Sequence, residues 1–66
     1  MIYMIKREGN DSYFNKNIGF QNHWTYKEEG KIYYTKREAN RDIKLYNIKN
    51  VEVVKLWKSL FIIIDM

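Results

Sequence analysis

Cysteine is absent from this 66-residue chain, and histidine occurs once, as His23. No disulfide staples the fold, and a lone His23 does not supply the ligands of a zinc site. Serine nucleophiles are confined to Ser12, in a turn cluster, and Ser59, beside a hydrophobic run, with no acid–base partner apparent near either. The Glu28-Glu29 pair reads as a solvated turn rather than two carboxylates held at the defined separation that glycoside hydrolysis requires. No enzyme and no cofactor is therefore expected. Long apolar runs are missing too. The longest, Leu60 to Ile64, is far short of the roughly 20 residues that span a bilayer. Lys6 and Arg7 follow the first apolar run, and no long hydrophobic region succeeds them, so no signal peptide is expected. A soluble cytoplasmic protein is the expectation, and the lack of cysteine fits a reducing compartment.

What the chain has is aromatic mass and positive charge. Two Trp, six Tyr and three Phe supply the core that a chain this short needs. A domain of this size buries only about 60% of its unfolded surface, so residues 1–66 form one domain with little stability to spare. The net charge of +4 argues against an acidic DNA mimic and permits contact with nucleic acid, an acidic protein surface or an anionic membrane.

The segment Lys31-Ile32-Tyr33-Tyr34-Thr35-Lys36-Arg37-Glu38-Ala39 organises the rest. Residues Lys31 to Tyr34 predict a strand from their β-branched and aromatic content. Thr35 predicts a helix N-cap, with Glu38 reaching back to its N–H in a capping box. The helix should run from Lys36 to Tyr46, burying Ala39, Ile43 and Tyr46 at the i, i+4, i+7 spacing, with Asn47 as a left-handed cap and Asn50 as a turn residue. Met1 to Arg7 is apolar on both faces and predicts a strand inside the sheet. The turn cluster Gly9-Asn10-Asp11-Ser12 joins it to a second strand, Tyr13 to Asn17. Trp24 reads as a core plug, with extended chain at Thr25 to Lys27, and Val51 to Trp57 as the strand after the helix. The uncharged, proline-free run Leu60 to Ile64 must be covered, so residues 60–66 are either a fifth strand or a dimer-forming tail. The expected fold is α+β: a mainly antiparallel sheet of three to five strands in the order β-β-β-α-β, with one helix on one face.

On the helix, Lys36, Arg37, Arg41 and Lys44 share one arc, while Glu38 and Asp42 share another. The like-charged i,i+4 pairs Arg37–Arg41 and Glu38–Asp42 each cost roughly 0.2–0.5 kcal/mol, so segregation suggests a face meant for an anionic partner. A plain solvated face explains the same pattern. Tyr26 and Tyr33 are the aromatic anchors expected beside it. Rings interleaved with bases also suit nucleic acid, although alternation places about half of them in the core. His23 next to Trp24 fits a binding pair, or more simply a loop histidine beside a buried tryptophan.

An N-terminal strand, a Tyr-Phe strand, a tryptophan, the capped segment and a closing Val-Glu-Val-Val together resemble a type of short accessory protein of bacteriophages and mobile elements. The matching residues are Tyr13, Trp24, Ile32, Tyr34, Thr35, Glu38, Ala39 and Val51 to Val54, and the Leu60 to Ile64 run lies outside the pattern. That resemblance implies stoichiometric binding and inhibition of a host protein or ribonucleoprotein complex, including CRISPR and other defence systems. A small basic nucleic-acid-binding accessory protein is the alternative. A homodimer through Leu60 to Ile64 is compatible with both.

Overall fold

A computed structural model describes residues 1–17 and 23–57. Strands β1 (Ile2–Arg7), β2 (Tyr13–Phe14), β3 (Trp24–Thr25) and β4 (Val51–Leu56) form one antiparallel sheet, and helix α1 (Lys36–Leu45) lies between β3 and β4 in sequence. Spatial order is β3-β2-β1-β4. This is the expected α+β fold in the β-β-β-α-β order.

β1 is central because it is apolar on both sides. Its register with β4 runs from Ile2 opposite Leu56 to Arg7 opposite Val51. Paired residues share a face, so the pleat sorts the core into two clusters. Ile2, Met4 and Tyr13, with Val54 and Leu56, pack on one side. Ile5, Phe14, Tyr33 and Ala39, with Tyr3, Trp24, Ile43 and Val53 around them, pack on the side that α1 covers. Met4 and Ile5 are both fully buried. Burying each side chain contributes about 1.5–3 kcal/mol, much of it from long-range packing rather than local propensity.

The third strand is not where its β propensity suggests. Lys31 to Tyr34 forms no strand; Tyr33 alone makes an isolated bridge to Tyr3, with N–H···O distances of 2.8 Å both ways. The segment takes over from β2 along β1, the Lys31 N–H donating to the Phe14 carbonyl at 2.9 Å, and two residues later the chain has reached the helix cap. The third strand is Trp24–Thr25, paired with β2. β2 itself stops at Phe14 rather than Asn17. The Asn15 side chain takes the Asn17 N–H at 3.0 Å and donates to the Glu29 carbonyl at 2.8 Å, which turns the chain out of the ladder. The Leu60 to Ile64 run, whether fifth strand or dimer tail, lies outside the described residues.

Opposite α1, a 3₁₀ turn (Lys27–Glu29) ends at Gly30, whose φ of −66° suits any residue. Space is what requires glycine there. A Cβ would overlap Met4 Cε and come 2.8 Å from Tyr13 Cβ. Gly30→Val is expected to lower the unfolding free energy by about 1–3 kcal/mol, as overpacking does, measured by urea denaturation.

Candidate functional site

Helix α1 begins and ends as its residues dictate. The Thr35 hydroxyl oxygen accepts the Glu38 N–H at 3.1 Å. The same hydroxyl donates to Glu38 Oε1 at 3.1 Å, so the glutamate returns to the cap's side chain rather than to its backbone N–H. At the other end Asn47 is left-handed (φ 53°). The Ile48 N–H reaches the Ile43 carbonyl at 2.9 Å and the Asn47 N–H reaches Lys44 at 3.3 Å, the paired hydrogen bonds of a Schellman motif.

Between these caps the helix turns Ala39 and Asp42 inward and leaves Lys36, Arg37, Asn40, Arg41 and Lys44 exposed. Arg37, Arg41 and Lys44 stand on the side away from the sheet, and Lys36, three residues from Ala39, flanks the buried stripe. Among the described residues none of them makes an ion pair; the pairs found are Lys6–Glu52 and Lys31–Asp42. Of the two carboxylates expected to form a separate surface arc, Glu38 is tied to the Thr35 cap and Asp42 is 5% exposed. The exposed surface of the helix therefore carries four cations against one exposed carboxylate, Glu38, which is held at the cap.

Two expected anchors do not belong to that pole. Tyr33 is only 3% exposed, because its bridge to Tyr3 turns the ring into the core beneath α1. Tyr26 is fully available at 75% exposure, but it shares a shallow depression with Asp11, Tyr13 and Glu28. Tyr13 packs with Ile2 and Met4, on the sheet face that α1 does not cover, so Tyr26 lies apart from the basic residues.

Instead, Tyr33 anchors the helix. Its hydroxyl donates to Asp42 Oδ2 at 2.7 Å, and Lys31 Nζ sits 3.4 Å from the same oxygen and 5.1 Å from the Tyr33 ring centroid. Burial first, and the Asp42 hydrogen bond second, push the Tyr33 phenol far above its ordinary value. Tyr13 is raised as well, first by burial and then by Asp11, Glu28 and Glu52. In the unfolded chain these phenols ionise near pH 10, whereas the folded protein keeps their protons. The unfolded state then binds fewer protons, so stability is complete below about pH 10 and falls as pH rises above it. Tyr33→Phe should flatten that alkaline decline by about 1.4 kcal/mol per pH unit, read from denaturation midpoints above about pH 10.5.

A second feature escaped the sequence pattern. Arg7, Phe14, His23, Trp24, Tyr46, Ile48 and Lys49 line a cleft of about 440 Å³ at the C-terminal end of α1. Phe14 is its floor, edge-on to Trp24 at 5.8 Å and to His23 at 6.3 Å, and tilted against Tyr46 at 5.7 Å. The Arg7 guanidinium lies 4.3 Å from the Trp24 ring centroid, and Lys16 Nζ 5.4 Å from that of Tyr46. Trp24 is half-buried rather than a core plug, and His23, outside any helix or strand, stands beside it in the wall. His23 is left-handed (φ 56°), a conformation costing roughly 1–2 kcal/mol for an ordinary residue. One available signal was parity: Arg7 is two and four residues from Ile5 and Tyr3, which places it on the helix-side face with Trp24.

Among the described residues no three His, Cys, Asp or Glu side chains gather to hold a metal ion, and no helix is long and apolar enough to cross a membrane. No family model, curated protein or solved structure matches the chain.

Proposed function

We propose that this chain is a small binding protein that docks on an anionic protein surface through the cationic pole of α1, with Lys36, Arg37, Arg41 and Lys44 as its contacts. One observation carries the reading: all four cations are exposed and make no ion pair among the described residues, while Asp42 is withdrawn into the core and the exposed Glu38 is held by the Thr35 cap. A surface shaped only by stability would gain from interleaved Glu–Lys pairs. Rigid caps at both ends hold these side chains on a fixed backbone, which lowers the ordering cost of docking.

The resemblance to phage accessory proteins supports a narrower form. In it the partner is a host defence complex such as a CRISPR effector, and binding blocks its substrate channel or a required movement stoichiometrically. Affinity capture with the tagged chain from a nuclease-treated bacterial lysate tests this form. Recovery of one defence complex is the expected result, with inhibition complete at one equivalent. Recovery of nucleic acid and its usual escorts only from the untreated lysate would replace it with the accessory reading, in which the same pole follows a phosphate backbone.

A further inference from the structure

We propose that the cleft at the end of α1 binds one unstacked nucleotide of a single-stranded nucleic acid, with the base among Trp24, His23 and Tyr46 and the phosphate against Arg7 and Lys49. This site is distinct from the helix pole and does not depend on the function proposed above.

Three observations converge on this ligand. The first is shape: about 440 Å³ falls within the roughly 300–1,000 Å³ range of small-ligand sites, and the floor, Phe14, is only 4% exposed. A base must leave its stack to reach that depth, so a duplex is excluded. The second is chemistry. Aromatic walls offer stacking to any base, and a guanidinium already lies 4.3 Å from the Trp24 centroid. The third is charge. Arg7 and Lys49 line the cleft, Lys16 stands beside Tyr46, and among the described lining residues there is no carboxylate. Three cations at the cleft are more than a single phosphate needs, which favours a strand over a free nucleotide.

Backbone conformation points to the same place. The described non-glycine residues with positive φ are His23, Asn47 and Asn50. Asn47 and Asn50 flank the lining segment that ends in Lys49 and are explained by the helix cap and the turn into β4. His23 is in the wall itself, and its carbonyl accepts the Asn15 N–H at 2.9 Å, which seats it at the entry to β3 beside the cleft.

The test uses the full chain carrying Trp57→Phe, a change at an exposed position that leaves Trp24 as the reporter. An oligothymidylate of about ten nucleotides is titrated at about 50 mM salt, and Trp24 fluorescence is followed. Saturable quenching is expected, with affinity about tenfold lower for Arg7→Gln. Lys49→Gln, on an exposed residue, should reduce the slope of log K against log[salt] by about one without disturbing the fold. No quenching would overturn the proposal. So would equal affinity for a duplex of the same sequence, or equal affinity for thymidine monophosphate, which would make this a free-nucleotide site. Quenching that survives Arg7→Gln and Lys49→Gln but vanishes in Arg37→Glu/Arg41→Glu would place the strand on the helix and also overturn it.

Discussion

Asp42→Ala should lower the unfolding free energy by about 1–3 kcal/mol. The Tyr33 hydroxyl, in a ring only 3% exposed, donates to Asp42 at 2.7 Å and loses that acceptor. Stranding a buried hydroxyl costs about 1–3 kcal/mol. Lys31 loses its partner as well, but its side chain is 37% exposed and water replaces much of the 3.4 Å contact. Alanine gains only about 0.5 kcal/mol in helix propensity, too little to offset the loss. A 66-residue domain holds roughly 3–10 kcal/mol in all, so the variant should be partly unfolded at 37 °C. Asp42→Asn keeps an acceptor and should cost about half as much. In the Tyr33→Phe background, Asp42→Ala should cost at least 1 kcal/mol less than in the parent, because the orphaned hydroxyl is gone. Urea denaturation of the four proteins measures this cycle, and strict additivity would contradict the coupling.

Reversing two charges on the helix pole should do the opposite: leave the fold alone and remove binding. Arg37 and Arg41 are exposed and make no ion pair among the described residues, so Arg37→Glu/Arg41→Glu should change stability by no more than about 0.5 kcal/mol. Glutamate at position 37 sits in the first turn of α1, where the helix dipole favours a negative charge. At the partner's surface each reversal replaces attraction by repulsion at an arginine, a residue type enriched at interface hot spots, where truncation alone costs about 2 kcal/mol. Two such losses weaken binding by roughly a thousandfold. Calorimetric titration of the captured partner with parent and variant gives the number. An unchanged affinity removes this pole from the interface.

Features set by near neighbours in sequence were legible. Thr35 and Glu38 are three apart and specify the cap; Asn47 tolerates the left-handed turn that ends the helix; apolar residues on both faces of β1 place it inside the sheet. Long-range pairing was not. Trp24–Thr25 becomes a strand only because β2 lies beside it, whereas the better strand former, Lys31 to Tyr34, meets β1 at one residue. Asp42 sits at the edge of the stripe formed by Ala39, Ile43 and Tyr46, and a carboxylate there reads as solvated. Its burial depends on a phenol nine residues away whose direction follows from the Tyr3 bridge. The cleft was the least visible feature, since Arg7, Phe14, Trp24, Tyr46 and Lys49 come from separate segments that only the completed sheet and the helix C-terminus bring together.

Arginine side-chain NMR tests the helix-pole claim most directly. Arg7, Arg37 and Arg41 are the arginines of this chain, and each Nε–H gives its own signal. On adding the nuclease-treated captured complex to ¹⁵N-labelled protein, the Arg37 and Arg41 signals should shift or broaden while Arg7, packed over Trp24, stays in place. Movement of Arg7 with Arg37 and Arg41 unperturbed would contradict the account and move the docking surface away from α1.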